Sequence, residues 1–130
     1  VLAWALARLW APLGGAFAVP GWALVAAAAA LMLWAGAAFR RARTTIVPHR
    51  PPSALVETGP YQLSRNPIYL ADLMILAGAA LVMGAPQALV LLEPFRRILL
   101  KRFILPEEAV LERDLGRPYL EYKARVRRWL

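Results

Sequence analysis

An all-α fold is predicted, an integral membrane helical bundle of about four spanning helices with amphipathic helices after them on the cytoplasmic face. Three observations lead there. Of 130 residues, 60% are hydrophobic, and the mean hydropathy of +0.48 exceeds what the core of a small soluble domain requires. The apolar residues gather in long runs rather than in short amphipathic stretches. The basic residues stand at the ends of those runs, as positive charge does at a membrane face. A chain of this length, committed to spans, forms one domain over residues 1–130.

The spans are placed at about residues 2–19, 22–39, 68–84 and 87–105. Leu2 to Trp10 is apolar apart from Arg8 and breaks at Ala11-Pro12 and Gly14-Gly15, so the first span is short; no cleavage-site pattern marks it as a signal peptide. Trp22 to Phe39 is uninterrupted and covers about 27 Å of hydrocarbon. Its alanine run, Ala26 to Ala30, offers a small-residue face to a neighbouring helix. Arg40, Arg41, Arg43 and Arg50 then assign this end to the cytoplasm. The connector 44–67 holds Pro48, Pro51, Pro52, Gly59 and Pro60, which resist continuous helix, and is expected to carry function. Ile68 to Met83 turns at Gly84-Ala85-Pro86 into Gln87 to Leu105, whose charges Arg96, Arg97, Lys101 and Arg102 collect at the far end: a helical hairpin returning to the cytoplasm. Glu93 is expected to pair with Arg96 or Arg97 on its own helix. In the tail 106–130, Leu111, Leu115, Tyr119, Tyr122, Val126 and Trp129 recur at helical spacing. The interruption at Gly116-Arg117-Pro118 makes two amphipathic helices of it. The tryptophans suit an aromatic belt, and Arg125, Arg127 and Arg128 suit lipid headgroups.

Composition also excludes. A net charge of +8 without a basic face interleaved with stacking aromatics points to a bilayer with anionic headgroups as partner and away from nucleic acid. With no cysteine and a single histidine, His49, there is no thiolate chemistry and no multi-histidine metal cage. His49 reads as an interfacial loop residue, and Asp72 as structural or pocket-lining.

Two polar clusters remain at the membrane edge, where charge is costly unless it meets a partner or lines a cavity. Pro67, after Arg65-Asn66, sets up a helix start whose first-turn amides suit an anion. Glu107 and Glu108 can accept a positive centre, and Tyr61, Tyr69, Tyr119 and Tyr122 offer aromatic faces to a cation. Together these suit a zwitterionic, cationic ligand. Taken singly, each cluster is also what a plain helix cap and a dipole-complementing first turn look like.

In order along the chain, Leu55-Val56-Glu57-Thr58-Gly59-Pro60-Tyr61, Arg65-Asn66-Pro67-Ile68-Tyr69, Glu107-Glu108 and Gly116-x-x-Tyr119-Leu120-x-Tyr122-x-x-x-Val126 resemble the isoprenylcysteine carboxyl methyltransferase and phospholipid methyltransferase family. The resemblance runs over about Thr45 to Leu130. It implies a multi-span enzyme that transfers a methyl group from S-adenosylmethionine to a lipophilic or membrane-partitioned acceptor, an isoprenylcysteine-like carboxylate, a lipid amine or a thiol. It places the site on the cytoplasmic face of a bacterial-type inner membrane. It also carries cofactor contact to Ser53, Ala54, Leu55, Val56, Tyr61, Arg65, Asn66, Pro67, Ile68, Tyr69, Glu107 and Glu108. The family's eukaryotic members usually have His where Asn66 stands, and an acceptor-binding arginine where the closest alignment has Phe103, beside Arg102. Arg102 and Arg125 are therefore the candidates for holding the acceptor. Two rivals resemble parts of the pattern: a sterol-type reductase using a nicotinamide cofactor, and a lipid-binding adaptor without catalysis.

Overall fold

A computed structural model describes residues 15–42 and 55–130. Among them every regular element is helical. A single 3-10 turn, Gly15–Phe17, leads into α1, Ala18–Ala42. The expected start at Trp22 is too late: Pro20 lies in the first α-helical turn, where an amide hydrogen has no intrahelical acceptor to lose. Gly15–Ala42 is long and apolar enough to cross a membrane; its 28 residues rise about 42 Å against roughly 30 Å of hydrocarbon. The first predicted span, 2–19, lies outside the described residues up to 14, and its remainder belongs to the approach to α1.

The connector enters the described region extended at Leu55 and tightens into a 3-10 turn, Gly59–Gln62. Next comes α2, Pro67–Val82, apolar but 16 residues long, about 24 Å. It ends in the turn expected at Gly84-Ala85-Pro86. The Gly84 amide donates to the Leu81 carbonyl at 3.0 Å and the Ala85 amide to Ala80 at 2.8 Å, the paired bonds of a Schellman stop.

The segment read as the span 87–105 is not one regular helix. A 3-10 stretch Pro86–Leu91 leads to α3, Leu92–Leu99, then to a π-helical turn, Leu100–Ile104, and without a break into α4, Leu105–Leu115. The expected boundary at 105/106 is thus crossed by helix. Pro106 explains the π turn: its ring crowds the carbonyl four residues back, at Arg102, and it has no amide hydrogen to give. The wider turn relieves both, with the Leu105 amide reaching the Leu100 carbonyl. Gly116 then stops α4 at φ 62° and ψ −131°, a conformation closed to residues with a Cβ, and α5, Arg117–Arg125, departs from it. The two tail helices are as expected, divided at the expected glycine.

Two packing regions hold these elements. Along α1 the buried stripe is Gly21, Ala28, Ala35 and Ala38, small residues largely one heptad apart, while Val19, Trp22 and Leu33 are exposed. Of the alanine run only Ala28 is buried. The stripe admits α2 so closely that a Cβ on Gly21 would stand 2.8 Å from the Gly78 carbonyl oxygen, and one on Gly78 would stand 2.6 Å from Val25 Cγ2. In lipid, where apolar burial gives no net drive, such backbone approach supplies the dispersion that pairs helices. The second region is the core at the Arg40–Arg41 end of α1. There Ala35, Ala38, Val56, Tyr61, Tyr119, Tyr122 and Val126 cluster, with Phe39 edge-on to Tyr61 at 5.3 Å between ring centroids. Connector and tail are therefore clamped together on the end of α1.

Gly78→Leu should destabilise the α1–α2 pair by about 3 kcal/mol through overpacking. Gly36→Ala, with nothing within 4 Å of the added methyl, should be neutral or better. Thermal unfolding in a fixed detergent separates the two outcomes.

Candidate functional site

The turn Ser64-Arg65-Asn66 before α2 is held from the tail by backbone geometry. The Arg65 amide donates to the Arg127 carbonyl at 2.9 Å. The Asn66 side-chain amide donates to the Arg128 carbonyl at 3.0 Å, and Ser64 Oγ does the same at 3.3 Å while accepting the Asn66 amide at 3.1 Å. Asn66 thus uses its side chain to tie the chain's last residues to the start of α2. This task needs a donor and no titration. Pro67 follows, fully buried, and fixes the first turn. The amides of Ile68 and Tyr69 head that turn and have no intrahelical acceptor.

Glu107 and Glu108 occupy the first turn of α4. Adjacent helical residues diverge by about 100°, and the two carboxylates have different partners. Glu108 is buried and lies between two guanidinium groups. Arg65 Nη1 is 3.2 Å from its Oε1, and Arg128 grips both oxygens, Nε at 2.9 Å and Nη2 at 3.1 Å. Arg65 also donates to the Tyr119 hydroxyl at 3.3 Å, and its buried Nε has no acceptor. Glu107 instead points to α2: the Tyr69 hydroxyl donates to its Oε1 at 2.6 Å, and the Tyr69 ring lies beside Phe103 at 6.1 Å between centroids. Burial pushes the Glu107 carboxyl above its usual range, and the Tyr69 hydrogen bond opposes this only in part.

The tyrosines divide between site and core. Tyr119 and Tyr122 are almost wholly buried, and the Tyr122 hydroxyl donates to the Tyr61 carbonyl at 2.7 Å across 61 residues of chain. They hold the tail against the connector, so the expectation that they offer faces to a cation is corrected by packing. Tyr61 is buried with them. Burial and the nearby Tyr122 and Glu107 raise its phenol far above the ordinary value, so it stays protonated. Tyr69 is the partly accessible ring at Glu107.

The structure therefore brings Arg65, Asn66, Pro67, Ile68, Tyr69, Glu107 and Glu108 together. Leu55, Val56 and Tyr61 lie in the core behind them. Ser53, Ala54 and His49 lie outside the described residues. Arg102 is exposed on the π turn, with no ion pair among the described residues, and Arg125 pairs with Glu57 on the connector at 2.6 Å. Neither bonds to the Tyr69–Glu107 pair. Arg128, read from sequence as a headgroup contact, is instead the bidentate partner of Glu108. Ser64, too, carries no signal of its role in the sequence. Nothing local marks either one, because their partners come from remote parts of the chain.

A family model described as phospholipid methyltransferase matches residues 16–117, which include α1, the prolyl turn and the acid pair. No curated protein and no solved structure matches the chain.

Glu108→Ala should cost about 3–5 kcal/mol by leaving Arg65 charged and buried without its carboxylate. Glu57→Ala, which removes an exposed pair, should cost less than about 1 kcal/mol in the same melts. Glu107 contributes a pH dependence of definite sign. Its folded pKa lies above the ordinary 4.5, so its contribution is full below that value and is lost as pH rises through the raised one. Unfolding midpoints should fall with rising pH across that window, and Glu107→Gln should flatten the slope.

Proposed function

The chain belongs to the phospholipid methyltransferase family, a methyltransferase family acting on lipid-related substrates, and from that premise we propose that it transfers a methyl group from S-adenosylmethionine to a lipophilic acceptor at the membrane face. The single observation that carries the reading is the Tyr69–Glu107 hydrogen bond at 2.6 Å. It joins the first turn of α2 to the first turn of α4 and sets a half-buried carboxylate beside an aromatic ring. When bound, S-adenosylmethionine supplies a methyl group on a positively charged sulfur.

The residues present fit such a ligand at both of its charged ends. Glu107 accepts hydrogen bonds and attracts positive charge, and Tyr69 and Phe103 offer ring surface beside it. The Ile68 and Tyr69 amides, at the positive end of the α2 dipole, suit a carboxylate. Arg65, Asn66 and Glu108 act by holding this turn in place, and Leu55, Val56 and Tyr61 pack in the core behind it. Methyl transfer from a sulfonium removes a positive charge, so a site that excludes water and aligns the two reactants supplies most of what is needed. Arg102 and Arg125 remain the cationic candidates for contacts to the acceptor's headgroup. Arg40 and Arg41 at one end of α1, and Arg96, Arg97, Lys101 and Arg102 beyond the α2–α3 turn, support a cytoplasmic site by the positive-inside rule. The family match favours methyl transfer over the reductase and adaptor readings.

Glu107→Gln should weaken S-adenosylmethionine binding by about ten- to a hundredfold, the worth of a charged hydrogen bond, while leaving the fold at least as stable at neutral pH. Tyr69→Phe should weaken it less. Titration calorimetry measures both, and an unchanged affinity in Glu107→Gln rejects the assignment.

A further inference from the structure

α3 runs antiparallel to α2, between the turn at Gly84 and the Tyr69–Phe103 ring contact. It turns Pro94, Phe95 and Ile98 toward α2. At about 100° per residue, Glu93, Arg96 and Arg97 then point the other way. Their side chains are exposed by 50%, 35% and 67%. On a helix in water this would be an ordinary solvated face, but here its depth matters. The triad stands midway between the Gly84 turn and the Tyr69–Phe103 contact, level with the middle of α2. There α2 meets α1, and a Cβ on Gly78 would stand 2.6 Å from Val25 Cγ2. Val25 is about 15 Å along the spanning helix from Gly15 and about 21 Å from Phe39. Charges at that depth are costly unless they face a cavity or a partner.

The triad satisfies itself only in part. Glu93 Oε1 accepts from Arg96 Nη2 at 2.7 Å and from Arg97 Nε at 2.8 Å, and Oε2 accepts from Arg96 Nε at 2.8 Å. Both arginines therefore reach back along α3, away from the cytoplasmic end where Lys101 and Arg102 stand, so neither snorkels to headgroups there. The two terminal nitrogens of Arg97 have no acceptor among the described residues, and the triad keeps one positive charge in excess. The chain has no carboxylate left to offset it. None of the other seven acidic side chains pairs with Arg96 or Arg97, and residues 1–14 and 43–54 contribute Arg8, Arg43, His49 and Arg50 but no acid.

We propose that this face of α3 is a docking surface within the membrane, and that its partner is a spanning helix of another protein carrying one unpaired carboxylate at matching depth. Charge selects that partner. One carboxylate brings the total to zero and gives the free fork of Arg97 a two-oxygen acceptor. A second copy of this chain fails the same count, because it adds two guanidinium groups and only one carboxylate. Acyl chains offer no acceptor at all. Val90, exposed just before Glu93, gives the partner helix apolar surface to pack on. The low dielectric that makes an unmatched charge costly at this depth also makes the matched pair selective.

The test uses the full chain in phosphatidylcholine vesicles. The chain has no cysteine, so Ala124→Cys, exposed on α5, takes a single donor dye. The acceptor dye sits on a synthetic leucine–alanine helix of about 24 residues, with aspartate, asparagine or leucine at its centre. Energy transfer, read at alkaline pH to favour the ionised aspartate, should show the aspartate helix binding about ten- to a hundredfold more tightly than the other two, the worth of a charged hydrogen bond. Arg97→Leu should abolish this preference at unchanged melting temperature, whereas Glu93→Gln, which removes the internal competitor, should strengthen it. Equal binding of the three helices, no binding, or a preference that survives Arg97→Leu overturns the proposal. So does transfer between differently labelled copies of the chain that is lost in Arg97→Leu, which would give this face to self-association.

Discussion

The cluster of Arg65, buried Glu108 and partly exposed Arg128 is the constraint on which the rest of the polar end depends. Two guanidinium groups share one carboxylate, and either Arg65 or Glu108 alone would be an uncompensated charge with little access to water. The cluster spans three separate pieces of chain: the turn before α2, the first turn of α4 and the residues after α5. Backbone bonds from Arg65, and side-chain bonds from Ser64 and Asn66, to the carbonyls of Arg127 and Arg128 run alongside it and fix its register. Because Glu107 is the neighbour of Glu108, pinning one sets the position of the other, and the Tyr69 contact follows from it.

Two adjacent glutamates thus have different tasks. Glu108 is neutralised and encloses structure, while Glu107 is half-buried, singly bonded and held at a raised pKa. Its burial costs stability at neutral pH and leaves a carboxylate whose best available partner is a cation from outside. Strain of this kind is what a binding site retains when the surrounding fold can bear it. The Arg65–Glu108–Arg128 cluster and the tyrosine-rich core behind it are what bear it here.

The other half of the molecule obeys a different physics. α1 exposes Val19, Trp22 and Leu33 and buries mainly glycine and alanine, the reverse of a helix folded in water. Its contact with α2 relies on close backbone approach at Gly21 and Gly78. Towards the Arg40–Arg41 end, large aromatic side chains take over the packing, and polar groups find partners. The candidate site stands where these two regimes meet.

The sequence by itself determined the all-α class, the apolar segments 22–39 and 68–84, the stop at Gly84-Ala85-Pro86, the division of the tail at Gly116, the pairing of Glu93 with its own helix and the residues of the two polar clusters. All of these are local: they follow from helical periodicity, from proline's missing donor, from glycine's freedom at positive φ and from neighbours three or four residues apart. Tertiary structure alone decided the rest. The removal of Tyr119 and Tyr122 into the core and the recruitment of Arg128 by Glu108 each depend on where a distant segment comes to lie. A side chain's charge or ring is written in the sequence. Whether it is spent on a partner inside the fold or left for a ligand is settled only when the helices pack.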